Sequence, residues 1–247
     1  MKTQRNLYAL DYMRISVRFI VGIGLSVLMA LETVEARADP VTALEQSAQE
    51  AQGPKVEDYK GVFLWGLQAG GAYVPQNIHT STTSGWGTYV SGNALYGFWP
   101  NILLGMDIDY YRVPFNVQSN GFNLGADWTV SVLPMVEFRT NRMGNWSLYG
   151  NIGIGMNDNN FLNSSGLNAA CGSCSIDMQI SFAARFALGA DYYVTKNLSA
   201  TAEVGYMMND TPAIVTVSAP GYSASGGETL NLSTMFVLVG FHYNGTP

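Results

Sequence analysis

The stretch ISFAARFALGADYYVTKNLSATAEVGYMM, residues 180–208, decides the fold because its side chains alternate in twos. One set is apolar or aromatic and comprises Ile180, Phe182, Ala184, Phe186, Leu188, Ala190 and Tyr192. The set between them is small or polar and includes Arg185 and Asp191. A period of two is the repeat of a β-strand. The alternation stops at Thr195-Lys196-Asn197 and then resumes, which predicts a hairpin of two strands.

The same alternation recurs from residue 61 onward and predicts eight strands, at residues 62–74, 88–99, 102–113, 126–139, 146–157, two within 180–208, and 230–243. Short connections follow the second, fourth and sixth strands, whereas long ones follow the others. An even strand number with this asymmetry is typical of membrane barrels. We therefore predict an all-β fold, an eight-stranded antiparallel up-and-down transmembrane β-barrel. Pro134 inside the fourth strand predicts a β-bulge, because proline cannot donate to the ladder.

The N-terminal 38 residues have the pattern of an export signal. Basic residues precede an apolar run of 13 residues at 19–31, and Ala36-Arg37-Ala38 is a cleavage motif. The run is shorter than the roughly 20 residues that a membrane-spanning helix needs. A start at Met13 instead of Met1 gives a signal of more ordinary length. We predict a signal peptide at residues 1–38, a polar periplasmic leader at 39–60, and an outer-membrane barrel domain at 61–247.

Composition narrows the class of protein further. Residues 1–38 hold five of the 12 Lys and Arg and three of the 18 Asp and Glu, so the remainder has a net charge of −8. This charge argues against a nucleic-acid partner, since phosphate binding needs a basic surface. Charged residues make up only 12% of the chain and aromatic residues another 12%. With no apolar run of about 20 residues, this balance favours a barrel over a helical membrane protein.

Four segments resemble the strands of the small eight-stranded outer-membrane barrels, the OmpA/OmpX-like porin-domain family. They are GVFLWGLQAGGAYV at 61–74, WSLYGNIGIGMN at 146–157, LGADYYVTKNLSATAEVGY at 188–206 and FVLVGFHY at 236–243. The resemblance implies a monomer without a cofactor in the outer membrane of a Gram-negative bacterium. Its implied partners are outer-membrane lipid, lipopolysaccharide and the barrel-insertion machinery. Such barrels usually end on an aromatic residue, whereas here four residues follow Tyr243.

Seven charged residues fall at inward positions of the predicted barrel: Asp107, Asp109, Glu137, Arg139, Arg185, Asp191 and Glu203. The interior of an eight-stranded barrel is just wide enough for side chains to fill it, and charges there must be paired. We predict that the two arginines pair with the carboxylates and plug the lumen. The alternative is a narrow, slightly cation-selective channel, because the acids outnumber the bases.

Two further sets of residues have predicted roles. Outward aromatic side chains should form interfacial girdles; they are Trp65, Tyr73, Tyr110, Trp128, Phe138, Trp146, Tyr192, Tyr206 and Tyr243. Cys171 and Cys174 lie in a polar loop of an exported chain, so we predict a small loop disulfide. Both histidines are distant in sequence from the cysteines, which leaves a metal site without support.

The sequence says less about function. We predict a non-enzymatic protein that contributes to envelope integrity or to surface interaction through its external loops, whose Asn, Ser, Gly and aromatic residues suit recognition. A small passive channel is the alternative. A lipid-modifying enzyme is a remote alternative that would use His79 with Ser81 or Ser84, although no acid is identifiable beside them. His242 falls on an inward position and is interpreted as a packed lumen residue.

Overall fold

The alternating strands close into a ring in the computed structural model, which describes residues 59–75, 82–219 and 222–245. In chain order the elements are β1 (Phe63–Tyr73), β2 (Thr82–Ser84), β3 (Gly87–Trp99), β4 (Ile102–Val117), β5 (Asn123–Arg139), β6 (Trp146–Asn163), α1 (Ser165–Cys171), β7 (Ser173–Met178), β8 (Ser181–Tyr193), β9 (Leu198–Ala219), β10 (Tyr222–Asn231) and β11 (Thr234–Gly245). The predicted signal peptide lies outside the described residues, as does the leader up to residue 58.

Eight of the strands make the barrel wall. They pair antiparallel in the order β1-β3-β4-β5-β6-β8-β9-β11, and β11 returns to β1 through a ladder from Phe63↔Gly245 to Tyr73↔Met235. The ring confirms the predicted eight-stranded antiparallel barrel. The hairpin quoted from the sequence is β8–β9, closed by a hydrogen bond from the Val194 N–H to the Leu198 carbonyl at 2.9 Å. Among the described residues, no helix has the length and apolar character needed to cross a membrane.

The two faces of each ring strand differ as the period of two predicts. On β1, Phe63 and Leu67 are 45% and 41% exposed on the outside, whereas Leu64 and Gln68 are buried inside. Ala184 was predicted to face outward but is almost fully covered. Its short side chain lies between its larger ladder partners Ile154 and Met208, which are exposed.

Several strands continue past their predicted ends on the side of the long loops. β4, β6 and β9 extend to Val117, Asn163 and Ala219, and the end of β9 together with β10 occupies most of what was predicted as the last loop. The predicted eighth strand begins at 234 rather than 230. In these extensions apolar and polar residues no longer alternate regularly, as in NDTPAIVTVSA at residues 209–219, so the sequence pattern ends while the backbone ladder continues.

The expected bulge at Pro134 is absent. Met106↔Pro134 is a regular pair on the β4 side, and on the β6 side the register before the gap, Val132↔Met156, is unchanged after it, at Met135↔Gly153. The missing proline N–H is therefore accommodated by an interruption of pairing to β6 over residues 133–134, without an inserted residue. Register shifts occur instead at Gly97/Trp99 and at Phe115/Asn116.

A second sheet rises from the barrel wall on the long-loop side. The end of β9 pairs with β10 from Asp210↔Asn231 to Ala219↔Tyr222, and its other edge pairs with β7 from Ala213↔Met178 to Ser218↔Ser173. We call this three-stranded unit, formed by β7, the end of β9 and β10, the outer sheet. Since β9 belongs to both sheets, the outer sheet is continuous with the wall.

Candidate functional site: a filled lumen and an outer sheet

Arg139 is the centre of a charged cluster near the short-turn end of the lumen, called here the lower cluster (Glu137, Arg139, Asp191 and His242). Arg139 Nη2 lies 2.7 Å from Glu137 Oε1, and its Nη1 bonds to Asp191. Nδ1 of His242 is 3.0 Å from Asp191 Oδ1. The period of two puts Glu137 and Arg139 on the same inward face of β5, and ring closure brings β8 and β11 to them. All four side chains are buried.

Arg185 is the centre of a second group, the middle cluster (Asp107, Asp109, Asn151, Arg185 and Glu203). Its Nε is 3.2 Å from Asp107 Oδ2 and 3.4 Å from Asp109 Oδ2, and its Nη2 bonds to Glu203. Nη1 donates to Asn151 Oδ1 at 2.6 Å, and the Asn151 amide donates to Glu203 at 3.0 Å. All seven charged residues predicted to line the lumen thus lie inside the barrel, in one of the two clusters.

Neutral polar side chains fill the lumen above the middle cluster, and sequence reasoning missed them. The Asn209 amide donates to Asn159 Oδ1 at 2.7 Å and to the Tyr111 hydroxyl at 2.8 Å. The Thr129 hydroxyl lies 2.9 Å from Asn159 Oδ1 and 3.0 Å from Asp127 Oδ2, within donating distance of either, and Asp127 is a further buried carboxylate. These residues occupy the same alternate positions as the inward charges, which is the signal that could have found them.

Aromatic and aliphatic side chains also face inward toward the long loops. The Tyr89 ring stacks on Tyr111 with centroids 5.3 Å apart and lies 4.7 Å from Phe236. Phe115 and Leu232 belong to the same buried cluster. The lumen was expected to be lined by small and polar residues, so this apolar layer is a correction. Its cause is that the sequence there is apolar on both faces, and alternation alone does not show which apolar set faces inward.

The end of the predicted leader belongs to the barrel. Tyr59 is 1% exposed, and its hydroxyl is 2.8 Å from that of Tyr193 on β8. Burial raises the pKa of the Tyr59 phenol above its ordinary value. Tyr59, which the sequence placed in the polar leader at 39–60, is therefore packed into the barrel, because a phenol ring among polar neighbours still gains from burial against apolar barrel residues.

All nine predicted girdle residues lie on the outside, at two levels. Trp65, Phe138, Trp146, Tyr192 and Tyr243 lie near the short turns, with ring centroids 5.6 Å apart for Trp65–Tyr243 and 4.9 Å for Trp146–Tyr192. Tyr73, Tyr110, Trp128 and Tyr206 lie toward the long loops. Tyr73 lies eight positions after Trp65, which is about 26 Å along a strand. Allowing for strand tilt, this spacing suits the apolar band of a membrane barrel.

A short disulfide-closed segment connects the barrel wall to the outer sheet. Cys171 at the end of α1 is bonded to Cys174 in β7, with Cα atoms 5.9 Å apart. The Ser164 hydroxyl caps α1 by accepting from the Leu167 N–H at 2.9 Å. The Asn163 amide at the end of β6 donates to the Cys174 carbonyl at 2.8 Å. The edge of the outer sheet is thereby tied to the wall.

The residues considered for catalysis are not brought together by the described part of the chain. His79 and Ser81 lie outside the described residues, and the Ser84 hydroxyl donates to the Val74 carbonyl at 2.7 Å. His242 lies deep in the lower cluster. Within residues 59–75, 82–219 and 222–245, no three His, Cys, Asp or Glu side chains are grouped to hold a metal ion.

Comparison with solved structures identifies the fold. The outer membrane protein OprG from Pseudomonas aeruginosa superposes with a TM-score of 0.59 at 16% identity, covering 78% of this chain and 100% of that one. The chain has the fold of the small outer-membrane β-barrels. AlkL (TM-score 0.49, 15% identity, 77% of this chain, 92% of that one) and Neisserial surface protein A (0.46, 14%, 74% and 97%) also match. No protein-family model matches the chain, and comparison with curated protein sequences finds no match.

The outer surface of the barrel is suited to a lipid environment. The exposed apolar belt between two aromatic girdles is the surface that lipid requires, and a polar, filled interior is the usual counterpart. The chemistry of this surface supports the predicted outer-membrane location.

Proposed function

We propose that this chain is a non-enzymatic outer-membrane protein that acts through its outer sheet, on a barrel whose lumen is closed. The observation that carries the proposal is the outer sheet itself, in which ten residue pairs join β9 to β10 beyond the ring. Its strands hold three acidic residues, Asp177, Asp210 and Glu228, and no basic one. A charge-poor, hydrogen-bonded sheet beyond the membrane-facing wall suits contact with other molecules better than transport.

The filled interior supports the closed-lumen part of the proposal. Both arginines have their guanidinium groups engaged by carboxylates from several strands. Above them the neutral network and the stacked rings of Tyr89 and Tyr111 occupy the remaining width. Interiors of this size leave no room for a water column once side chains fill them.

Conductance of the refolded barrel in a planar bilayer tests this closure, with Arg185→Ala measured beside the wild type. No channel conductance from either protein is the expected result. Discrete channels in the wild type, enlarged in the variant, would overturn the closed lumen and favour the small cation-selective channel, with Arg185 as its gate.

A second experiment separates surface interaction from envelope integrity. In cells that lack the native gene, the full chain is compared with a variant whose residues 212–229 are replaced by a two-residue turn. Restoration of detergent resistance by both chains indicates an integrity role of the barrel alone. Restoration of a surface phenotype, such as adhesion, by the full chain only is the expected result. Equal activity of both chains in adhesion would contradict the proposal.

A further inference from the structure

The backbone ahead of β1 folds across the short-turn end of the barrel. The Tyr59 N–H donates to the Pro100 carbonyl at 2.8 Å, and the Gly61 N–H donates to the Gly97 carbonyl at 2.8 Å. A Cβ at Gly97 would overlap the Tyr59 carbonyl oxygen, so the close approach depends on glycine at this position. These bonds attach Tyr59 to the β3–β4 turn, on the opposite side of β1 from β11.

The side chain of Tyr59 points from this attachment into the lumen. It packs in a buried cluster with Leu64, Leu95, Leu103 and Met135. Its hydroxyl bonds to that of Tyr193, and the Arg139 guanidinium carbon lies 5.4 Å from the centre of its ring. The phenol therefore bridges from β3 to β8 directly beneath the lower cluster.

We infer that Tyr59 is a stopper that seals the short-turn end of the lumen, so that the position of the residues just ahead of β1 controls access from that side to the lower cluster. The lower cluster needs such a seal because its ion pairs are dry: Glu137, Arg139 and Asp191 have no exposed side-chain surface. Withdrawal of one ring would open this end to water while the middle cluster continues to block passage through the barrel. The stopper is thus a device separate from any channel, and its failure would leave the proposed function standing.

Thiol accessibility tests the stopper. Ser147 is buried, faces inward and pairs with Asp191, so Ser147→Cys places a thiol at the level of the lower cluster. The two native cysteines are joined to each other, which leaves this thiol as the one reactive group. In the refolded full chain its reaction with a small charged methanethiosulfonate should be slow. Tyr59→Ala should accelerate it about tenfold or more, because local opening governs the reaction of buried groups.

Two further variants test whether the Tyr59 ring causes the protection of this thiol and whether the opening is confined to the short-turn end. Tyr59→Phe keeps the ring and should keep the thiol slow, whereas a hydrogen-bond latch would make it as fast as Tyr59→Ala. Ser131→Cys, also buried and paired with Asp109 at the long-loop edge of the middle cluster, should not change rate in the Tyr59→Ala background. The inference would be overturned if the thiol at 147 reacted fast with the native Tyr59 in place. It would also be overturned if Tyr59→Ala gave no acceleration in a barrel that still migrates as folded in unheated SDS gels, or if the thiol at 131 were accelerated equally.

Discussion

Arg185 supplies the positive charge that stabilises the middle cluster of the lumen. Replacing it with alanine leaves Asp107, Asp109 and Glu203 buried without a cation, which should cost about 3–5 kcal/mol of unfolding free energy. Urea unfolding of the vesicle-refolded barrel measures this loss. Glu203→Gln should cost less, since the amide keeps its shape and Arg185 keeps two carboxylates. If Arg185→Ala were as stable as Lys196→Ala, an exposed-turn control, the middle cluster would contribute nothing to stability.

Two glycines of β6 give a matched pair of substitutions. A Cβ on Gly155 would overlap the Val132 carbonyl oxygen, whereas the nearest atom to a Cβ on Gly150 is the flexible end of Leu188, at 3.1 Å. Gly155→Ala should therefore destabilise the barrel by about 1–3 kcal/mol, as overpacking does. Gly150→Ala should be neutral or slightly stabilising, because glycine weakens a strand interior. The same urea unfolding compares them, and equal effects would contradict a close approach of β5 to Gly155.

At the level of residues, the sequence predicted which side chains face inward but not how they pair. Asp107, Glu137 and Glu203 could be assigned to the lumen because apolar outward residues flank each of them. Their partners depend on register and on closure of the ring, which no local pattern contains. Tyr59 escaped prediction for a related reason, since one aromatic residue in a polar segment has no periodicity.

The outer sheet should be separable from the barrel wall. The ladders of β9 that belong to the ring run from residues 199 to 209 with β8 and from 198 to 207 with β11, below the outer sheet. A chain with a two-residue turn in place of residues 212–229 should therefore still fold into the same ring. Unchanged heat-modifiable gel migration and retained strand signal in circular dichroism are the expected results. Loss of folding would show that the outer sheet helps to form the wall.

The secondary-structure elements also differ in how well the sequence predicted them. β1, β8 and the first half of β9 were predicted to within a few residues because lipid on one side and a filled lumen on the other impose opposite polarity on alternate side chains. The end of β6, α1 and β7 lie where water is available to both faces, so their sequence resembles a polar loop. Hydrogen bonding of the backbone, which side-chain polarity does not reveal, decides the structure there.

For the whole molecule, the exposed apolar belt is the feature that requires a lipid environment. Ile152 on β6 is exposed, six positions after Trp146 and six positions before Asp158, the first outward charge. Ile152→Arg would place a cation near the middle of the bilayer and should cost about 2–4 kcal/mol, whereas Leu148→Arg, near the girdle, should cost about 0–1 kcal/mol. Val204→Arg, also exposed in the belt, should resemble Ile152→Arg. Unfolding in lipid vesicles measures all three, and the difference in depth is the test, because arginine changes local strand preference similarly at each site. Equal costs at positions 148 and 152 would mean that the belt does not face lipid, and would contradict the conclusion that the barrel spans a membrane.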